Sequence, residues 1–446
     1  MSRNLFIENG WIPKQTTAAP VNILIADERI VALGPDVKPS ADTELVNASG
    51  LLVLPGLVDV HVHLREPGAE HKEDLTSGTR AALAGGVTTV LAMPNTSPPI
   101  TDAASLAHVV ALAEKKAVCD FGFFIGATPS NAAEAATLTG AVGLKIYMGS
   151  STGSLLVDDF GGQFSHFKTY PAQRPIVVHA EDETAVRWFA RQGQRRPALC
   201  AALETARALV FAEHLGRHVH ICHLSTAQEL DLVHAARARG VRATCEVAPH
   251  HLFLTNKAEW RLGSRAKMNP PLRSPADRAA LWEHLAWIDA IASDHAPHTL
   301  EEKHSGIADA PAGVPGLETT LPLLLTAVSE GRLKLADLVR LTSYGPAMIF
   351  GLARKGRIAP GYDADLVLVD PDVRWTINEE KLHTKCRWSP YAGSRVKGKV
   401  ERVYMRGRLA YADGEVLVEP GYGRAVEIAV RPARQMHHET VKQAAD

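Results

Sequence analysis

The sequence predicts an α/β protein: a barrel of alternating strands and helices, with a small β domain assembled from both chain ends. Three observations carry this reading. Residues 54–354 alternate short apolar runs with stretches of helical character. Residues 1–53 and 355–425 have a different texture, of short alternating segments broken by turns. The two β-rich regions flank the long middle, so one small β domain built from both ends accommodates them.

The terminal segments read as strands. LFIENGWI, NILIADERIVALG and ELVNASGLLVLPG alternate apolar and polar residues, and DADLVLVDP and GKVERVYMRGRLAYADGEVLV repeat the texture late in the chain. Asn-Gly, Arg-Gly and Ala-Asp-Gly at the breaks are hairpin turns of an antiparallel sheet.

In the middle, VTTVLAMP, VGLKIYM, RPIVVHA, HVHICHLS, RATCEVAP and DAIASDHAP are nearly continuous apolar runs. Such strands suit a parallel sheet covered on both faces. Between them, Ser225 before TAQELDLVHAARARG reads as an N-capped helix ending at glycine. Ser274-Pro275-Ala276-Asp277 places a cap and a proline at the start of another. Roughly 300 residues of this pattern fit an eight-fold (β/α) barrel better than an open sheet, although spacing alone leaves both open. The polar tail, residues 426–446, is expected to be loosely ordered.

Composition narrows the function. The 446 residues are 46% hydrophobic and 22% charged, and 48 Lys plus Arg balance 49 Asp plus Glu. That balance offers no basic field for nucleic acid and no polybasic membrane anchor. The opening MSRNLFIENGWIPKQ lacks the pattern of a signal peptide, and no apolar run reaches the roughly 18 residues of a membrane span. The five cysteines (119, 200, 222, 245 and 386) are scattered without a C-x-x-C pair. A disulfide framework is not expected, and a cytoplasmic location is.

Chemistry falls at the strand ends. His61 and His63 in LVDVHVHLREPG are two apart, which on a strand puts both imidazoles on one face. His179 closes RPIVVHA, His223 closes HVHICH and Asp294 closes DAIASDH. A barrel gathers the C-terminal ends of its strands around one mouth. Three kinds of site, His pair, single His and Asp, then form a nitrogen and oxygen set suited to zinc or a similar ion. Lys145, inside VGLKIYM, admits two readings. It is a lysine reaching solvent or paired with an acid, or a neutral amine that captures carbon dioxide as a carbamate and so becomes an anionic ligand.

At this point the motifs resemble a family. HVHLREPG (61–68), MPNTSPP (93–99), GLKIYMG (143–149), HICHLST (220–226), TCEVAPHHLFL (244–254) and SDHAPHTLEEK (293–303) are similar to dihydroorotases of the amidohydrolase superfamily. The likeness is greatest to the dihydroorotase domain of the animal multifunctional pyrimidine-synthesis protein, and it spans roughly residues 50–420. It implies a (β/α)8 TIM-like barrel with a β-sandwich from both termini. It implies two Zn2+ per subunit, with His61, His63 and Asp294 on one, His179 and His223 on the other, and carboxylated Lys145 and a hydroxide bridging them. The reaction implied is the reversible cyclisation of N-carbamoyl-L-aspartate to L-dihydroorotate in pyrimidine biosynthesis, with the bridging hydroxide as nucleophile and Asp294 as general acid/base. Arg65 can fork onto the substrate carboxylate, and Asn95 and His298 match the rest of that carboxylate pocket.

Some positions are less settled. Asn269 matches a substrate-facing position, but the animal domain has Arg there. Thr152, in the loop GSSTGSLLVDD, is a contact candidate on a mobile lid. Cys222 and Glu246 match a third zinc site or serve as a buried thiol and a supporting carboxylate. His250 and His251 are expected to be structural, and 194–209 is given no role. The partner expected is a small-molecule substrate, and the assembly is left open, with a homodimer as one form. The alternatives are an allantoinase or hydantoinase-type cyclic amidohydrolase, and a catalytically inactive scaffold of the same fold.

Overall fold

The structure, a computed structural model, describes residues 4–14, 17–40 and 42–429. Eight strands form the central barrel: Leu57–Val62, Val87–Ala92, Asp120–Phe123 continued by Ile125–Gly126, Leu144–Tyr147, Ile176–His179, Val219–Ile221, Ala243–Val247 and Ala290–Ile291. Neighbours in this order pair in parallel. The ring closes where Val62 bridges His295 and the His63 N–H donates to the His295 carbonyl at 2.7 Å. Strand residues are buried on both faces, as a sheet with helices outside and a filled interior requires. Val58, Val60, Leu91, Phe124, Val177 and Ala290 share one cluster, while the other strand face joins the helices in a larger one.

Helix starts follow local capping chemistry. Asp74 and Asp102 each accept from the N–H three residues on, and Ser77 and Ser105 reach back to the cap. Ser274 does the same with Asp277, and Pro275 opens that helix as expected. The cap expected at Ser225 sits one residue later. Thr226 caps Ala227–Ala238, because the Glu229 carboxylate draws in the N–H groups of both Ser225 and Thr226.

The chain ends share one mostly antiparallel sheet. Its order is Glu415–Val416, Arg408–Ala412, Arg395–Met405, Leu366–Thr376, Leu52–Pro55, Asn4–Pro13, Ala18–Ala26 and Arg29–Gly34, with Thr43–Asn47 beside Asn4–Pro13. Leu366–Val369 pairs with Leu52–Pro55, which knits late residues to early ones. Leu5, Ile7, Ile23, Val53, Leu366 and Leu368 fill the core of this β-sandwich.

Buried charges tie the sheet to the barrel. Lys355 Nζ lies 2.6 Å from both Asp120, on a barrel strand, and Asp365, beside a sheet strand. Arg406 donates to Asp120 as well. Among the described residues no helix is long and apolar enough to cross a membrane, and all five cysteines are free and buried. The tail expected over 426–446 lies, from residue 430 on, outside the described residues.

Candidate active site

Strand ends deliver the predicted ligands to one mouth. His61 lies on Leu57–Val62 and His63 directly follows it, with ring centres 5.4 Å apart. The Nε2 atoms of both rings stand 3.4 Å from Asp294 Oδ1. His179 Nδ1 and His223 Nε2 are 3.1 Å apart. Donor atoms about 2.0–2.1 Å from a tetrahedral zinc are separated by roughly 3.3–3.4 Å, so both groups have the spacing of ligands around an ion. Lys145 is fully buried, and its Nζ lies 2.9 Å from Cys222 Sγ with no carboxylate paired to it among the described residues. Its charge is felt by His61, His179 and His223.

Protonation suits a cation. Burial pushes His63 down to about 4 and also lowers His179 and His223, which leaves lone pairs on the rings. Burial acts the same way on His61, but the Glu246 carboxylate 2.5 Å from its Nδ1 overrides it and raises the ring to about 10. That carboxylate fixes a proton on Nδ1 and turns Nε2 toward Asp294. Burial would raise Asp294; His61 and His63 hold it below the usual carboxylate range, so it is ionised. His223 Nδ1 and His250 Nε2 are buried without a hydrogen-bond partner. Neutral imidazoles at His63, His179 and His223, an ionised carboxylate and orphaned ring nitrogens fit divalent metal ions, and His61 would join them by giving up its Nε2 proton to the metal. A second triad, His61, Cys222 and Glu246, also brings its donor atoms within 4.8 Å of one another.

The backbone is strained where these groups are aimed. His223, Asp294 and Arg65 take φ of 35°, 47° and 66°, a region that costs non-glycine residues energy and is concentrated at functional sites.

Beside the ligands lies a small pocket, lined by His63, Arg65, Asn95, Thr152, Asn269 and Asp294, among others. The His63 Nδ1–H donates to Asn95 Oδ1 at 2.7 Å, and Asn95 Nδ2 donates to Thr152 O at 2.8 Å. Arg65 Nε donates to Pro297 O at 3.0 Å. His298 is buried against Arg65. Its Nδ1 accepts from Lys72 Nζ at 3.2 Å, its Nε2–H donates to Ala312 O at 3.0 Å, and Arg65 Nη2 lies 3.2 Å from that Nε2.

The sequence pattern of the amidohydrolase family matches residues 52–410 of this chain. The chain belongs to the amidohydrolase family. Among curated relatives it is 46% identical over 400 residues to the multifunctional protein CAD of Squalus acanthias, covering 89% of this chain and 16% of that protein. The chain thus spans about a sixth of that relative's length. It is 39% identical over 434 residues to the dihydroorotase of Methanothermobacter thermautotrophicus, covering 95% of this chain and 97% of that one. Among solved structures, the L-hydantoinase (dihydropyrimidinase) of Arthrobacter aurescens superposes with a TM-score of 0.91 at 31% identity, over 96% of this chain and all of that one.

This amidohydrolase site also contains residues that sequence reasoning passed over. Asp59, two before His61, accepts from the Ser293 N–H beside Asp294. Glu181, two after His179, places Oε2 3.3 Å from His179 Nε2 and is bound by Arg196. For Asp59 the period of two that marks a strand face was a usable signal, whereas Glu181 lies beyond the end of its strand. His250, expected to be structural, brings Nε2 within 4.0 Å of Asp294 Oδ2. The signal for it was weaker, since PHH opens the short helix Pro249–Phe253 rather than closing a strand.

Proposed function

We propose that this amidohydrolase is a dihydroorotase, which reversibly cyclises N-carbamoyl-L-aspartate to L-dihydroorotate with two zinc ions. The observation that carries the reading is Arg65. It is 6% exposed, faces the pocket beside Asp294, and has no paired carboxylate among the described residues. Burial lowers it to about 10, so it stays cationic at neutral pH. A buried, unpaired guanidinium beside the reacting groups calls for an anion from the substrate. Dihydroorotate brings a free carboxylate to that place. Unsubstituted hydantoin and allantoin do not.

In this reading His61, His63 and Asp294 would hold one zinc and His179 and His223 the other, with Lys145, in carboxylated form, as a further ligand. The support for the carbamate is that Lys145 is buried among ligands with no anionic partner, which is costly for an ammonium. Bound there, the zinc pair supplies Lewis acidity and an activated water at neutral pH. Asp294, ionised and at the pocket wall, would hold and return the proton exchanged with the ring nitrogen. Arg65, Asn95, Asn269 and His298 bind and orient the substrate. Residues 1–53 with 355–425 serve as the β-sandwich domain and 54–354 as the catalytic one. A cytoplasmic location completes the proposal.

Hydantoinase-type activity is the second reading, favoured by the close superposition on the L-hydantoinase structure. An inert scaffold is opposed by the complete ligand set. The test is a substrate panel on the purified zinc-loaded protein. Ring opening of dihydroorotate, with little of hydantoin or allantoin, is expected; turnover of hydantoin or allantoin alone would overturn the proposal.

A further inference from the structure

Residues 194–209, which have no assigned role, supply a buried link between two parts of the site. Arg196 donates through Nη1 to Glu181 Oε2, and through Nη2 to Ser150 O and, at 2.8 Å, to Ser150 Oγ. Glu181 is the carboxylate beside His179 Nε2. Ser150 is the root of the loop 150–154, whose next residues Ser151 and Thr152 line the pocket. Thr152 spans that pocket, accepting from Asn95 and donating through Oγ1 to Ala312 O at 3.3 Å.

The link is built to be rigid. Arg196 is 9% exposed and takes φ of 42°, a conformation that a non-glycine residue keeps only when its surroundings enforce it. Its carbonyl accepts from Arg273 Nη1 at 2.6 Å, and Arg273 Nη2 lies 3.8 Å from Glu181 Oε1. Ser150 N is tied separately to Glu183 Oε2 at 2.7 Å. Gly149 packs against the Glu181 carbonyl so closely that a Cβ there would fall 2.2 Å from it.

We propose that Arg196 is a positioning residue that couples the ligand His179, through Glu181, to the loop 150–154 over the pocket. A planar fork can satisfy a carboxylate and a loop carbonyl at once, whereas an ammonium offers a single point of charge. Holding Glu181 keeps its carboxylate 3.3 Å from the His179 ring nitrogen, a contact without hydrogen-bond geometry, and holding Ser150 sets the loop's root.

The test uses the full zinc-loaded chain and compares Arg196→Lys with Arg196→Gln. Three readouts are taken: amide exchange of residues 150–154, zinc retained against a chelator, and KM and kcat for dihydroorotate. Arg196→Lys keeps a cation beside Glu181, so zinc retention should stay within about twofold of wild type while loop exchange and KM each rise about tenfold or more with kcat little changed. Arg196→Gln should also lose zinc about tenfold more readily. Wild-type loop exchange and KM in Arg196→Lys, or wild-type zinc retention in a folded Arg196→Gln, would overturn the coupling. If Arg196→Gln does not fold, the Arg196→Lys comparison decides alone. The KM readout rests on the dihydroorotase reading, but exchange and zinc retention do not. Inactivity toward dihydroorotate would therefore sink that reading and leave this one to be decided by the other two.

Discussion

Asp59 accepts the Ser293 backbone N–H on both carboxylate oxygens, at 3.2 and 3.1 Å. This bond crosses from the first barrel strand to the end of the last. It sits two residues before His61 and one before Asp294, so it sets the spacing of two proposed ligands from opposite sides of the closure. Asp59→Ala would leave the Ser293 N–H buried and unpaired, at a cost of about 1–3 kcal/mol. Denaturant titration should show that loss together with easier removal of zinc by a chelator. Unchanged stability and zinc retention would show that the closure holds without it.

Asp294 has two proposed duties, ligand and proton carrier, that one substitution separates. Asn keeps an oxygen donor but cannot take a proton at neutral pH. Asp294→Asn is expected to retain zinc while kcat falls about 10²–10⁴-fold. Metal analysis beside steady-state kinetics checks both halves, and near-wild-type turnover would refute the acid/base assignment.

Arg65→Met tests the carboxylate pocket. Removing a charge-assisted contact worth about 1.5–3 kcal/mol should lower kcat/KM for dihydroorotate about 10–150-fold, mostly through KM, without loss of zinc. A KM like that of wild type would place the substrate carboxylate elsewhere.

How far the fold and site could be read from residues depended on the range of the interaction. Alternation made the strand ends legible, so His61, His63, His179, His223 and Asp294 were found by position. Their convergence needed only the rule that a barrel gathers strand ends at one mouth. The reading of Lys145 as a carbamate was not legible from its apolar surroundings, which suit a misfit lysine equally well. Arg196 escaped because its partners, Glu181 and Ser150, lie 15 and 46 residues away and meet it only through a left-handed turn at a residue that is not glycine. The cap of Ala227–Ala238 shifted from Ser225 to Thr226 because two adjacent hydroxyls compete for one carboxylate, and propensity does not rank them. Asp120, Lys355, Asp365 and Arg406 each look like surface charges in sequence, and only the joint between sheet and barrel makes them a buried cluster.

That cluster gives a stability prediction. Lys355 is 8% exposed and faces Asp120, Asp363 and Asp365. Lys355→Met would leave Asp365 without its lysine partner in a buried place, so a loss of about 3–5 kcal/mol is expected. Adding Asp365→Leu should recover part of it, since the uncompensated charge is then gone. Chemical denaturation of the single and double variants measures the difference, and a double variant weaker than the sum of the singles would count against the argument.

Glu318 provides the pH dependence. Its carboxylate accepts from the N–H groups of His383 at 2.8 Å and Thr384 at 3.0 Å, bonds that favour ionisation. Burial outweighs them, helped by the nearby Glu73 charge, and pushes the group up to about 8 from an ordinary 4.5. Between those values the folded chain keeps the proton and the unfolded chain does not, so folding takes up a proton. Its contribution to stability is fully present below about 4.5, falls as pH rises toward 8 and is flat above. The thermal midpoint should therefore drop by several degrees from pH 5 to pH 8.5. In Glu318→Gln that part of the slope should vanish, even though the amide meets one backbone N–H poorly and lowers the midpoint at every pH. The comparison is of slopes, so a general loss of stability does not obscure it. Parallel curves for the two proteins would mean that Glu318 is ionised in the fold.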